Sequence, residues 1–110
     1  MLSDILKKEL VDRITASEKI DKVLLFGSEA RGDAGAESDI DLLVVLDMDT
    51  VPNSYKERNN NYLRISRSIR DIEKHHPIDL LVYTKPEFEM ITSGGSVFIR
   101  SILREAIQLA

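Results

Sequence analysis

Asp39 and Asp41 stand one residue apart at the head of an apolar run that continues to Leu46. In a strand, side chains alternate between faces, so the two carboxylates point one way. Ile40, Leu42 and Val44 then point the other way, into a core. Two carboxylates on one face repel each other unless a cation lies between them. Magnesium suits such a site, because it takes oxygen ligands and combines one or two carboxylates with substrate phosphates. A third carboxylate, Asp79, sits inside another apolar run, Ile78 to Val82. An unpaired buried charge is costly there. If that strand lies beside the strand of Asp39 and Asp41, the three carboxylates converge. Such a cluster can hold two magnesium ions, one on a triphosphate and one lowering the pKa of an attacking hydroxyl.

Upstream, the apolar residues Val23 to Phe26 lead directly into Gly27 and Ser28. Gly27 lets the backbone approach a ligand and adopt positive φ at low cost. Ser28 offers a hydroxyl and a backbone N–H, and a helix opening there favours an anion. Arg31 can add charge-assisted hydrogen bonds to phosphate. The spacing is not that of a P-loop, which needs Gly-x-x-x-x-Gly-Lys-Ser/Thr. Taken singly, each piece has a plainer explanation. Asp-x-Asp and Gly-Ser are common in turns, Asp79 could begin an exposed strand end, and Arg31 could pair with Asp33 or Glu37 on the surface. It is the three pieces in order that point to nucleotidyl transfer.

The elements that must position these residues follow from periodicity. Residues 3–16 read as a helix capped by Ser3, with Ile5, Leu6, Leu10 and Ile14 near helical spacing. Residues 22–26 read as a strand apolar on both faces, hence buried. Residues 28–31 open a short helix, and 33–38, with Gly35, read as a loop. Residues 39–46 form the second strand. Residues 54–74 read as one long helix with a stripe of Tyr62, Ile65, Ile69 and Ile72. Its Arg64, Arg67 and Arg70 read as a solvated face, with a triphosphate or an acidic partner as the alternative. His75 and His76 precede Pro77 and read as helix-end or loop residues. Residues 78–83 are the third strand, Pro86 starts a short helix, and a last helix is expected from Ser96 to Leu109. That helix carries Val97, Phe98, Ile99, Ile102, Leu103, Ala106, Ile107 and Leu109. So wide an apolar surface is expected to pack on the core and to leave room for a partner or a homo-oligomer contact. Alternating helices and strands give an α/β class, a small mixed β-sheet with helices packed on it.

At 110 residues the chain reads as one domain, 1–110. No apolar run approaches the ~20 residues of a membrane span. The first ten residues carry Asp4, Lys7, Lys8 and Glu9, unlike a secretory signal. The absence of cysteine removes disulfides and thiolate metal sites, and a cytoplasmic protein is expected. A net charge of −4 argues against broad attraction to nucleic acid.

Gly27-Ser28-x-Ala30-Arg31-Gly32, then Ser38-Asp39-Ile40-Asp41-Leu42-Leu43-Val44, then Asp79, resembles the minimal nucleotidyltransferase group of the DNA polymerase β-like superfamily. The resemblance implies the polymerase β-like nucleotidyltransferase fold. It implies ATP as substrate and Mg2+ as cofactor, two ions being expected. Gly27 and Ser28 would hold the β- and γ-phosphates, and Asp39, Asp41 and Asp79 would be the metal ligands and catalytic residues. It further implies a small helical HEPN-type partner whose tyrosine receives AMP, with this chain as antitoxin. The alternative is a non-catalytic binding module that neutralises its partner by covering it. Glu29, within the first motif, puts an acidic group near the expected phosphates, where it either weakens nucleotide binding or points outward.

Overall fold

The computed structural model describes residues 2–32 and 39–110, so the expected loop at 33–38 lies outside the described residues. Ser3 accepts a hydrogen bond from the Leu6 N–H (3.2 Å) and starts α1, Asp4–Ser17. Leu10 and Ile14 bury its inner face, while Ile5 points to solvent. Strand β1, Ile20–Phe26, is buried on both faces at Val23, Leu24 and Leu25. A short helix α2, Gly27–Arg31, follows without a break. Strand β2, Ile40–Leu46, is buried at every residue but Asp41.

Helix α3, Tyr55–Ser68, starts at Ser54, whose side chain accepts from the Glu57 N–H. The single helix expected over 54–74 is interrupted at Ile69, and α4, Arg70–Glu73, completes it. The Ser68 hydroxyl donates back to the Ile65 carbonyl (2.6 Å), a local bond that competes with the helix ladder. The break leaves Ile65, Ile69 and Ile72 all buried, while Tyr62, the first residue of the expected stripe, is exposed. Arg64, Arg67 and Arg70 are exposed, as are His75 and His76 in the turn before β3, Ile78–Thr84. Thr84 and Glu87 form a reciprocal cap with Pro86 in the first turn, and α5, Lys85–Ser93, begins there. Helix α6 spans Val97–Glu105.

The last helix therefore ends four residues earlier than periodicity predicts. Ala106 turns extended, and Ile107–Gln108 form β4, antiparallel to β1. Leu109 donates its N–H to the Val23 carbonyl (2.8 Å), and Val23 donates to the Ala110 carbonyl (3.0 Å). The β1 edge would otherwise leave these groups unpaired, which outweighs one more helical turn. Ile107 and Leu109 also fit a period of two, so the apolar pattern serves either structure.

The sheet order is β3-β2-β1-β4, with β1/β2 antiparallel and β2/β3 parallel. Even-numbered residues of β2 pack against α1, α3 and α4, around Leu10, Ile14, Ile65 and Ile69. Odd-numbered ones, Leu43 and Val45, pack against α6 through Ile99 and Ile102. The sheet is thus covered on both faces, a mixed α/β architecture of the expected kind. Among the described residues, no helix is long and apolar enough to cross a membrane.

Candidate active site

Two strand pairings meet at one end of the sheet. Phe26, the last residue of β1, pairs with Asp41. Asp41 pairs in parallel register with Asp79 on β3. Paired residues on adjacent strands share a face, so Asp41 and Asp79 present their carboxylates side by side. They begin the same face that Leu43, Val45, Leu81 and Tyr83 continue inward. Asp79 is exposed rather than buried, so it costs the core nothing, and Asp39 is exposed just before β2.

Asp41 is the constrained member. Burial, first, raises its carboxyl above the ordinary carboxylate range; the charge and hydrogen bonding of Asp79 come next, and Asp39 adds to them. Arg31 opposes the shift. The three expected carboxylates are therefore close enough to feel one another, with Asp41 at the centre.

Gly27 is the second constraint. It adopts φ +71°, and a Cβ placed on it would run into the Asp41 carboxylate. Only glycine lets the β1–α2 turn press against Asp41 in this way. Ser28, half-buried, begins the first turn, and its carbonyl accepts the Gly32 N–H (3.0 Å).

The Arg31 guanidinium donates to Glu105 on α6 at 3.0 Å, tying α2 to the end of α6. The alternative partners Asp33 and Glu37 lie outside the described residues. Glu29 corrects the expectation of an acidic group near a phosphate. It is only 8% exposed and accepts the Leu2 N–H at 2.6 Å, so its charge anchors the chain start ahead of α1. Glu105, a neighbour of the site through Arg31, carries no local signal, because its partner is 74 residues away in sequence.

The donor set fits magnesium. Asp39, Asp41 and Asp79 offer oxygen alone, and burial first and the facing Asp79 second raise the Asp41 carboxyl, a cost that a bound cation would offset. Among the described residues, no group of three or more His, Cys, Asp and Glu closes around one point. Magnesium does not require such a cage, since one or two carboxylates with substrate phosphates complete its shell.

The chain matches the family model described as "Polymerase beta, Nucleotidyltransferase" over residues 8–103. It is 50% identical over 44 residues to a candidate protein adenylyltransferase of Methanocaldococcus jannaschii, a stretch covering 38% of this chain and 44% of that protein. A second candidate of the same description and organism is 48% identical over 40 residues, 36% of this chain and 40% of its own length. The matched stretches span less than half of these curated relatives. A chain from a crystal structure of a toxin–antitoxin with AMP-PNP shares the fold, with TM-score 0.62 and 19% identity, covering 94% of this chain and 72% of that one. A candidate nucleotidyltransferase from Sulfolobus solfataricus is 31% identical, with TM-score 0.55, covering 74% of this chain and 67% of its own. With the family model matched over nearly its whole length, this chain is a nucleotidyltransferase domain of the polymerase beta family.

Proposed function

We propose that this chain is a magnesium-dependent adenylyltransferase that moves AMP from ATP to a hydroxyl of a partner protein. The acceptor is a tyrosine of a HEPN-type toxin, and the modification makes this chain the antitoxin. The observation that carries the reading is the in-register pairing of Asp41 with Asp79, with the Gly27 backbone pressed against Asp41. A purely structural role has no need for two facing carboxylates, one of which, Asp41, is raised by burial and then by its neighbour Asp79.

In this reading Gly27 and Ser28 hold the β- and γ-phosphates at the β1–α2 turn. Arg31, close enough to Asp41 to affect it, adds positive charge beside the triphosphate. Asp39, Asp41 and Asp79 would hold magnesium, which when bound neutralises phosphate charge and lowers the pKa of the attacking hydroxyl. Asp79 orients the acceptor hydroxyl and takes its proton. The hydroxyl oxygen bonds to the α-phosphorus, the bond from that phosphorus to the oxygen bridging to the β-phosphate breaks, and pyrophosphate leaves. Positioning and charge complementarity account for the rate. A protein acceptor is supported by the descriptions of the two relatives from Methanocaldococcus jannaschii and by the toxin–antitoxin likeness. The apolar side chains that α6 leaves to solvent, Val97 at 79% and Phe98 at 62% exposure, are consistent with a docked partner.

The test is transfer from α-phosphate-labelled ATP, with magnesium, to the proposed HEPN-type partner protein. Label that requires Asp41 is the expected result. A stable complex that forms with no label would favour the non-catalytic binding module instead.

A further inference from the structure

The sheet has two edges of very different character. At one, β4 contributes only two residues. At the other, β3 runs for seven residues, with an unbroken parallel register to β2 on its inner side. The Pro77 carbonyl accepts the Ile40 N–H, and Lys85 donates its N–H to the Met48 carbonyl, so odd-numbered backbone groups of this strand face β2. Backbone polar groups alternate along a strand, so the N–H and C=O groups of Ile78, Leu80 and Val82 face outward. The Thr84 N–H, also outward, donates to the Glu87 carboxylate at 3.0 Å and closes that end of the edge. Among the described residues, the open stretch therefore lies toward Asp79. Natural edges are commonly blunted by proline, lysine, a bulge or shortness; within Ile78–Thr84 none of these occurs, Pro77 and Lys85 flank it, and Asp79 is its one charge.

A groove follows the same edge. Its floor is four successive residues, Leu80 to Tyr83, and its wall is the α3 face carrying Tyr55, Arg58, Asn59 and Tyr62, with Arg58 paired to Glu87. Successive strand residues point to opposite faces, so a groove touching all four must run along the backbone edge. Tyr55 and Tyr62 remain 84% and 37% exposed beside it.

Resting on the transfer reading above, we infer that the acceptor protein docks by adding an extended segment to the free edge of β3, with its hydroxyl residue opposite Asp79. Only an extended backbone matches a row of alternating N–H and C=O groups at strand spacing. Cross-strand partners share a face, so the residue opposite Asp79 projects on the side where Asp41 and Asp79 stand. The strand edge thus delivers the hydroxyl to the carboxylates, and the tyrosine wall receives alternate side chains of the same segment.

Leu80→Pro tests this, because the lost N–H faces outward and the β2 ladder is left whole. Leu80→Ala is the control for loss of the side chain. The expected result is an acceptor KM for Leu80→Pro tenfold or more above that of Leu80→Ala, with the ATP KM equal in the two variants. Equal labelling by the proline and alanine variants would overturn the inference. Hydrogen exchange keeps the question answerable should the proline variant fold poorly. In Asp41→Asn, saturating acceptor should slow exchange at the Ile78, Leu80 and Val82 amides. No slowing there would also overturn it, as would slowing that tracks the concentration of this chain alone, the mark of a second copy on the edge. Full labelling by Asp41→Asn would instead count against the transfer reading and leave the docking result standing.

Discussion

The two ends of β2 carry carboxylates of opposite character. Asp47, just past the strand, accepts from Lys85 Nζ at 2.9 Å, with Lys19 Nζ 3.6 Å away. The hydrogen bond to Lys85, first, and the two lysine charges hold its carboxyl below the ordinary range. Asp41, at the strand's other end, faces Asp79 and senses Asp39, and burial and these charges raise it. One end of the strand is neutralised by the chain's own cations. The other concentrates negative charge where the β1–α2 turn closes over it. The first arrangement serves the fold and the second suits a charged ligand, although both are an aspartate beside an apolar strand.

Exchanging each aspartate for asparagine breaks the comparison most directly. Asp41→Asn is expected to lower AMP transfer on the order of a hundredfold or more, while folding stability holds or rises. Asp47→Asn is expected to leave transfer near native. Comparable losses of transfer in the two variants would erase the distinction drawn here.

Gly27→Ala comes next. Positive φ and the clash with the Asp41 carboxylate should together cost about 1–3 kcal/mol in denaturant unfolding, and transfer should fall with it. Removing the obstructing side chain in a Gly27→Ala/Asp41→Ala double variant should recover the clash part and leave the φ part. Strict additivity of the two changes would mean that the turn does not press on Asp41.

The pH dependence of stability sharpens the contrast with a smaller effect. Asp41 has a raised folded pKa, so its unfavourable contribution is absent below the unfolded value of about 3.9 and grows as pH rises through the folded value. The stability gained by Asp41→Asn should therefore increase between about pH 4 and neutrality. Asp47 has a lowered folded pKa. Its favourable contribution is present above about pH 3.9 and is lost as pH falls through the folded value. Urea titrations against the native chain should show the Asp41→Asn difference developing above about pH 4 and the Asp47→Asn difference constant there and fading only below about pH 3.9. Parallel curves would count against the assignment.

The smallest expected effect is on melting at neutral pH. Asp47→Asn should lower Tm slightly, since exposed ion pairs contribute little. A large drop would mean that the lysine pair at this end does more than tidy a strand terminus.

The site was legible where its parts were local. Gly27 follows an apolar run, Asp39 and Asp41 begin another, and Asp79 interrupts a third, and each shows within a few residues. The strand and helix order was legible for the same reason, as were the Ser3 cap and the start at Pro86. Less was visible where local signals were ambiguous. Ile107 to Leu109 suits a helix or a strand, and the open edge of β1 selected the strand. The stripe from Tyr62 to Ile72 gave no sign of the break at Ile69, because the apolar spacing is kept across it.

By itself the sequence determined which residues could do chemistry and which strand ends they occupy, because period, glycine placement and charge are local properties. Only the tertiary structure decided who faces whom. It set β3 parallel to β2 with Asp79 beside Asp41, turned Glu29 inward to the Leu2 N–H, and carried Arg31 across to Glu105. Those choices depend on pairing between segments tens of residues apart, where satisfying backbone groups and burying both sheet faces sets the register.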